Sequence, residues 1–329
     1  SPADSRTTHR RRQFAAWITE PTNPLTARVF VNRLWLHHFG EGIVRTPNNF
    51  GFKADPPTHP ALLDWLASEF VDGGWQIKRL HKLIMMSATY RQSSVHPQYA
   101  NFAEQDFTNR LWWRFNRRRM DAESLRDAML AVSGNLNRKM GGPSFYPKMA
   151  EEALEGLSRK GSAWGSSPDE ERSRRSIYMM TKRQRLLPLM TAFDFADTSR
   201  PCGKRDDTTV APQALALLNN HFVHRQSAAL AKRIASQADH SSGQIELAWQ
   251  SVLGRKPRSD ELATATEHVR TQAERFRARQ IQITSTVENA HREGKVDDRA
   301  VDAALETPEI LAVASLCHVL LNTNEFLYV

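Results

Sequence analysis

Residues 23–51, NPLTARVFVNRLWLHHFGEGIVRTPNNFG, leave the backbone little choice. Asn23 offers an N-capping oxygen, and Pro24 stands at a first helical position, where its missing N–H costs nothing. Val29, Leu34 and Trp35 then recur near the helical period, and Val31 and Leu36 widen the apolar stripe. Gly40 or Gly42 stops the helix, because glycine takes the left-handed C-terminal conformation without a Cβ penalty. A polar loop follows from Arg45 to Gly51, with Val44 and Phe50 as apolar anchors. The stretch predicts a buried helix with a polar loop attached.

The same punctuation recurs along the chain. Residues 10–18 form a short helical run ended by Pro21. Thr58 and Pro60 open a helix through Leu62, Leu63, Leu66 and Phe70 that stops at Gly73-Gly74, and Ile77–Tyr90 reads as another. Phe50 and Phe52 are expected to dock inward from the loop between the first two. Asp121 caps a helix closed by Gly134, Ala211–Ser236 reads as one long helix, and Ile245–Leu253 ends at Gly254. Ser259 starts a long polar helix to about Val287, and the last helix runs from about Pro308 to Leu321. Leu111–Phe115 reads as helix or strand, and Ile177–Thr181 is the best strand candidate. The expected fold is therefore mainly α, an irregular multi-helix arrangement with at most a few short strands. The domain reading has a disordered tail at 1–9, a helical part at 10–149 and a mobile polar excursion at 150–173. A second helical part at 174–329 is expected to pack with the first as one domain.

The 23–51 stretch resembles the signature of domain-of-unknown-function family 1553, an uncharacterised family of planctomycete bacteria. The likeness continues in THPALLDWLASEF (58–70), GWQIKRLHKLIMMSATYRQSS (74–94), NRRRMDAESLRDAMLAVSG (116–134) and MGGPS (140–144). It resumes in RRSIYMMTKRQ (174–184), FDFADTSRPCGKRDDTTVAPQALALLNNHFV (193–223) and LLNTNEFLYV (320–329). The resemblance implies a C-terminal module of large exported proteins, periplasmic or extracellular, with c-type cytochrome segments upstream. It brings no activity with it.

Chemistry must then be sought in the residues. A net charge of +9 and a pI near 9.8 favour anionic partners: nucleic acid, acidic glycan, anionic lipid or an acidic protein face. The two cysteines, Cys202 and Cys317, make neither a C-x-x-C zinc pair nor a C-x-x-C-H haem attachment, so any haem belongs to upstream segments. No apolar run reaches the ~18–20 residues of a membrane span. Cys202 sits beside Gly203 and the cations Lys204 and Arg205, which can lower a thiol pKa, although pairing with an upstream cysteine of a longer polypeptide, or plain solvent exposure, is the simpler reading. The histidines do not frame a metal site: His37 and His38 are adjacent and diverge on a helix, and His59 and His81 stand alone. His221 and His224 are three apart but lack a carboxylate motif.

Asp194 and Asp197, three apart in FDFAD, are the candidate catalytic or metal-holding carboxylates, with His59 as a third candidate. The competing reading makes both aspartates caps and ion-pair partners of arginine. The arginines supply the binding candidates: Arg45, Arg91, Arg117, Arg174, Arg175, Arg183 and Arg205, with Asn48, Asn49 and Trp113. Guanidinium forks bind carboxylate, sulfate or phosphate bidentately, and Trp113 suits stacking on a sugar ring or base. On a helix, Arg114, Arg117 and Arg118 would form one cationic ridge.

Three functions compete. The first is a binding or scaffold module whose cationic face holds an anionic polysaccharide or an upstream domain. The second is a polysaccharide-active enzyme using Asp194 and Asp197. The third, nucleic-acid binding, suits the pI but not an exported family. An enzyme requires Asp194 or His59 in a cleft with a perturbed pKa; a scaffold requires Asp–Arg pairs that satisfy one another.

Overall fold

In the computed structural model, residues 8–149, 164–183, 186–292 and 307–329 are described, with 281–292 by backbone alone. The fold is mainly α, with fifteen α-helices and no sheet among the described residues; its few β contacts are isolated bridges. The chain divides into two compact units, Ser1–Arg118 and Arg119–Val329.

The first unit holds α1 (Arg10–Thr19), α2 (Thr26–Phe39), α3 (Pro60–Asp72), α4 (Ile77–Met85), α5 (Ala88–Arg91) and α6 (Tyr99–Gln105). α2 begins later than expected, at Thr26 with Leu25 at the N-cap position and Pro24 outside the helix, although the Asn23 side chain still accepts from the amides of Leu25 and Thr26. It ends at Gly40, whose φ of +80° is the conformation glycine was expected to supply. Its buried face carries Val31, Leu34, Trp35 and Phe39, and packs with Leu63, Leu66 and Phe70 of α3, Leu80 and Ile84 of α4, and Trp112. Phe30 and Phe70 stack at 4.8 Å between ring centroids.

The polar loop after α2 is tied down by a residue of α2 itself. Asn32 is fully buried and exchanges two hydrogen bonds with the Val44 backbone, 2.8 and 3.0 Å. A Cβ on Gly42 would lie 2.4 Å from the Val44 carbonyl and under 3 Å from the Asn32 amide, so only glycine lets the loop pass. Phe50 packs on the core, but Phe52 points into solvent, contrary to expectation. The Asn49 side chain takes the Gly51 amide in a tight turn, which swings the following residues outward. Thr58 also does not cap α3: its amide and hydroxyl go to the Ile43 carbonyl, leaving His59 at the N-cap position.

Two further expectations change. The run Ile77–Tyr90 is broken, because Ser87 accepts the Tyr90 amide and starts α5 afresh. Residues 111–118 are neither helix nor strand. Asp106 accepts the Arg110 and Leu111 amides, and Asn109 and Trp112 both have positive φ, so the chain turns twice. Arg114, Arg117 and Arg118 therefore do not share a helical ridge.

The second unit is built on α7 (Ala122–Ser133), α8 (Asp169–Arg172), α9 (Pro188–Ala192), α10 (Ala211–Leu218), α11 (His221–Ala235), α12 (Ser241–Leu253), α13 (Ser259–Arg292), α14 (Pro308–Leu321) and α15 (Asn324–Leu327). α14 is its axis: Ala312, Val313, Leu316, Cys317 and Leu320 are buried, and α11, α12 and α13 pack around it. Thr307 caps α14 through the Ile310 amide, with Pro308 at its first position. α7 packs on α11, capped by Asp121 at one end and by Gly134 at φ +84° at the other. The single helix expected over 211–236 is two, because Asn220 caps a new start through the Phe222 amide. Ile177–Thr181 is no strand: a 3₁₀ turn at Ser176–Tyr178 leads into one parallel bridge between Met179 and Phe145. The chain end returns to the start of the unit, where the Met120 amide donates to the Leu327 carbonyl. Most of the polar excursion expected at 150–173 lies outside the described residues; from Trp164 onward it leads into α8.

Candidate functional site

α9 ends at Phe193, and the chain then turns sharply through Asp194, whose φ is +56°. Aspartate tolerates this left-handed conformation better than most residues, and here its side chain fixes it. The Asp194 carboxylate accepts Arg119 Nη2 at 2.8 Å, the Thr208 amide at 2.9 Å and the Thr208 hydroxyl. The Arg119 side chain is 4% exposed, lies over the Phe193 ring and gives its Nε to Asp207 at 3.1 Å. Buried Gln213 holds Thr208 in turn. Asp194 is thus the hub of an internal network, in which every donor around it meets an acceptor.

The loop leaving this hub encloses a hollow of about 440 Å³, lined among others by Asp194, Asp197, Arg200, Cys202, Lys204 and Asp206. Asp197 lies at its exposed rim, where the Ser199 hydroxyl and amide bind its carboxylate and hold its pKa below the usual range. Such a group stays ionised and is a poor proton donor. Arg205 closes the loop from behind with a bidentate pair to Glu123, 2.6 and 2.8 Å, which raises its pKa, and it lies over Phe195.

Beneath, two arginines serve the core. Arg174 has 0% exposure; it binds Glu171 and the carbonyls of Pro143 and Gly141, and lies over Tyr178. Arg126 sits between the rings of Phe145 and Phe222 and donates to the Arg174 carbonyl and the Ser176 hydroxyl; burial pulls its pKa down to about 10. Asp127 completes the set by accepting from Ser176. Arg175 and Arg183 are exposed.

In the first unit the segments 92–98 and 109–117 lie side by side: Gln92 donates to the Trp112 carbonyl and the Phe115 amide to the Ser93 carbonyl. Between them Trp113 stacks on Phe102, with His96 and Tyr99 edge-on, and the Arg114 guanidinium lies over Trp113 and Tyr99 at 5.1 and 5.7 Å. Arg117 is exposed on the second of these segments, with a long contact to Ser94, and Arg91 is exposed at the end of α5. Arg45 is half-buried between Glu41 and the Thr108 carbonyl. Asn48 accepts from Arg33, and Asn49 serves its own turn. The ring of His59 contacts Thr58. His38 and His81, distant in sequence, meet at 2.7 Å between Nε2 and Nδ1, with Tyr90 edge-on to His38. Burial, then His81, Arg118 and His37, hold the His38 pKa below its usual value. Among the described residues no three His, Cys, Asp or Glu side chains form a metal-binding group.

The family described as "Protein of unknown function (DUF1553)" matches residues 10–269, well over half of the chain. The chain belongs to the DUF1553 family. No curated protein and no solved structure matches it.

In this DUF1553 chain the structure joins Asp194 and Asp197 around one hollow but gives them unlike surroundings, and places His59 in the other unit. Of the binding candidates, Trp113 and Arg117 share one segment, whereas Arg174 and Arg205 are held inside ion pairs. The partners that define the Asp194 network, Arg119, Thr208 and Gln213, were not singled out as site residues. Their signal was faint: Arg119 follows two other arginines, and only folding shows which of the three turns inward.

Proposed function

We propose that this DUF1553 chain is a non-catalytic recognition module that binds an anionic polysaccharide on the first unit. The observation that carries the reading is the aromatic–arginine face of residues 91–117. Trp113, Tyr99 and Phe102 supply ring surface with Arg114 laid across it; Arg117 is exposed on the same segment, and Arg91 is exposed at the end of α5, just before the 92–98 segment. Rings stack on the apolar faces of sugars, while guanidinium groups take carboxylate or sulfate substituents. The second unit's surroundings argue against the enzyme reading. The Asp194 carboxylate is already engaged by Arg119 and Thr208, and Asp197, with its lowered pKa, lacks the proton a general acid needs. The proposal includes an exported setting and haem on other domains of a larger polypeptide, both implied by the family resemblance.

The test is an array of neutral, carboxylated and sulfated polysaccharides at low and high salt, with product analysis on every binder. Binding confined to acidic glycans, weakened by salt, without products and reduced by Arg91→Gln/Arg117→Gln and by Trp113→Ala, is the expected result. Cleavage products abolished by Asp194→Asn would overturn it in favour of the enzyme, and salt-insensitive binding would remove the role of the arginines.

A further inference from the structure

α1 lacks the devices that start a helix in water. None of its residues is buried, and its N-cap residue, His9, makes no side-chain capping bond. Its first turn contains no acid but three arginines, Arg10, Arg11 and Arg12, at the end where the helix dipole is positive. An isolated helix of this length is marginal even with a favourable sequence, and this one is opposed at its start.

Its surface is nevertheless organised. Phe14, Trp17 and Ile18 fall at i, i+3 and i+4 and share one side. Phe14 and Trp17 stack on each other at 5.9 Å while remaining 61% and 54% exposed. Arg10, Arg11 and Arg12 are exposed and form no ion pair among the described residues. The helix is also held at a set angle, because the Asn23 amide donates to the Trp17 carbonyl while the Asn23 carbonyl oxygen of the side chain anchors the start of α2. Leu25, exposed, follows directly.

We propose that α1 is an interfacial anchor that lies on an anionic lipid surface. One occupant answers every deficit: phosphate groups neutralise the three arginines and the helix N-terminus, and the acyl boundary takes up Phe14, Trp17 and Ile18. A second copy of the chain fits poorly, since it would bring like charge to like on a protein of net charge +9. A soluble polyanion answers the arginines but leaves the rings in water. Among the described residues no helix is long and apolar enough to cross a membrane, so the contact is with the surface.

The experiment is co-sedimentation of the whole chain with vesicles of phosphatidylcholine alone and of phosphatidylcholine with about 30% phosphatidylglycerol. At roughly one kcal/mol per arginine, Arg10→Gln/Arg11→Gln/Arg12→Gln should weaken binding to the anionic vesicles about a hundredfold. Phe14→Ser/Trp17→Ser should weaken it tenfold or more, and both sets of residues are exposed, so the fold should be kept. Circular dichroism of each variant without lipid checks that. A parent chain that stays in the supernatant with anionic vesicles overturns the proposal. So does binding that the Phe14/Trp17 variant retains in full, which would identify a soluble polyanion or an acidic protein as the partner.

Discussion

Replacing Asp194 tests whether the second unit depends on it as a structural hub. Asp194→Asn keeps the shape and the tolerance for positive φ, but removes the charge opposite a guanidinium that is 4% exposed. Breaking one side of a buried ion pair costs about 3–5 kcal/mol. Here Asp207 still holds Arg119 Nε, and Asp194 keeps some contact with solvent, so the expected loss is about 2–3 kcal/mol. For a unit of this size that is a fall of about 4–12 °C in Tm. Asp194→Ala should lose about 1 kcal/mol more than Asp194→Gly, because alanine resists a φ of +56°. Urea unfolding followed by circular dichroism gives the free energies, and hydrogen exchange of the Thr208 amide, which donates to Asp194, localises the effect. An Asn variant within about 0.5 kcal/mol of the parent, with Thr208 still protected, would refute the reasoning, since mutational effects of that size are ordinary at surface positions.

Three shorter predictions follow from the same geometry. Gly42→Ala should unfold the first unit selectively, because its Cβ meets the Val44 carbonyl and the Asn32 amide, and Asn32→Ala should cost about 2 kcal/mol by stranding the Val44 backbone groups; chemical denaturation of each variant gives the ranking. His38 has its pKa lowered in the fold, so the unfolded chain takes up its proton first; the first unit should be fully stable above about pH 6.5 and lose stability on acidification, and His38→Gln should flatten that limb in urea midpoints taken across the range. Cys202 is exposed whereas Cys317 is fully buried with its pKa pushed up to about 12, so a thiol reagent at neutral pH should count one cysteine in the native chain and two in denaturant.

The local sequence was enough for most helix boundaries. Gly40, Gly134 and Gly254 end helices with positive φ, Asp121 caps the start of α7, and the 3.6-residue apolar period assigns the buried faces of α2 and α3. These features depend on neighbours a few residues away, which is why they can be read without the fold. Where a side chain has two local choices, the fold decides between them: Asn220 restarts a helix that its apolar pattern would continue, and Thr58 turns to Ile43 instead of capping α3.

The candidate site divides along the same line. Sequence alone singled out Asp194, Asp197 and a surplus of arginine, because residue type and spacing are local properties. It could not say which arginines face inward. Arg174 disappears into the core, Arg119 reaches Asp194 across 75 positions, and Arg91 and Arg117 are left exposed. That assignment follows from burial: a guanidinium enters a low-dielectric interior only where carboxylates and carbonyls from distant segments converge to receive it. Composition determined that this chain is basic, and tertiary structure decided which of its charges remain available to a partner.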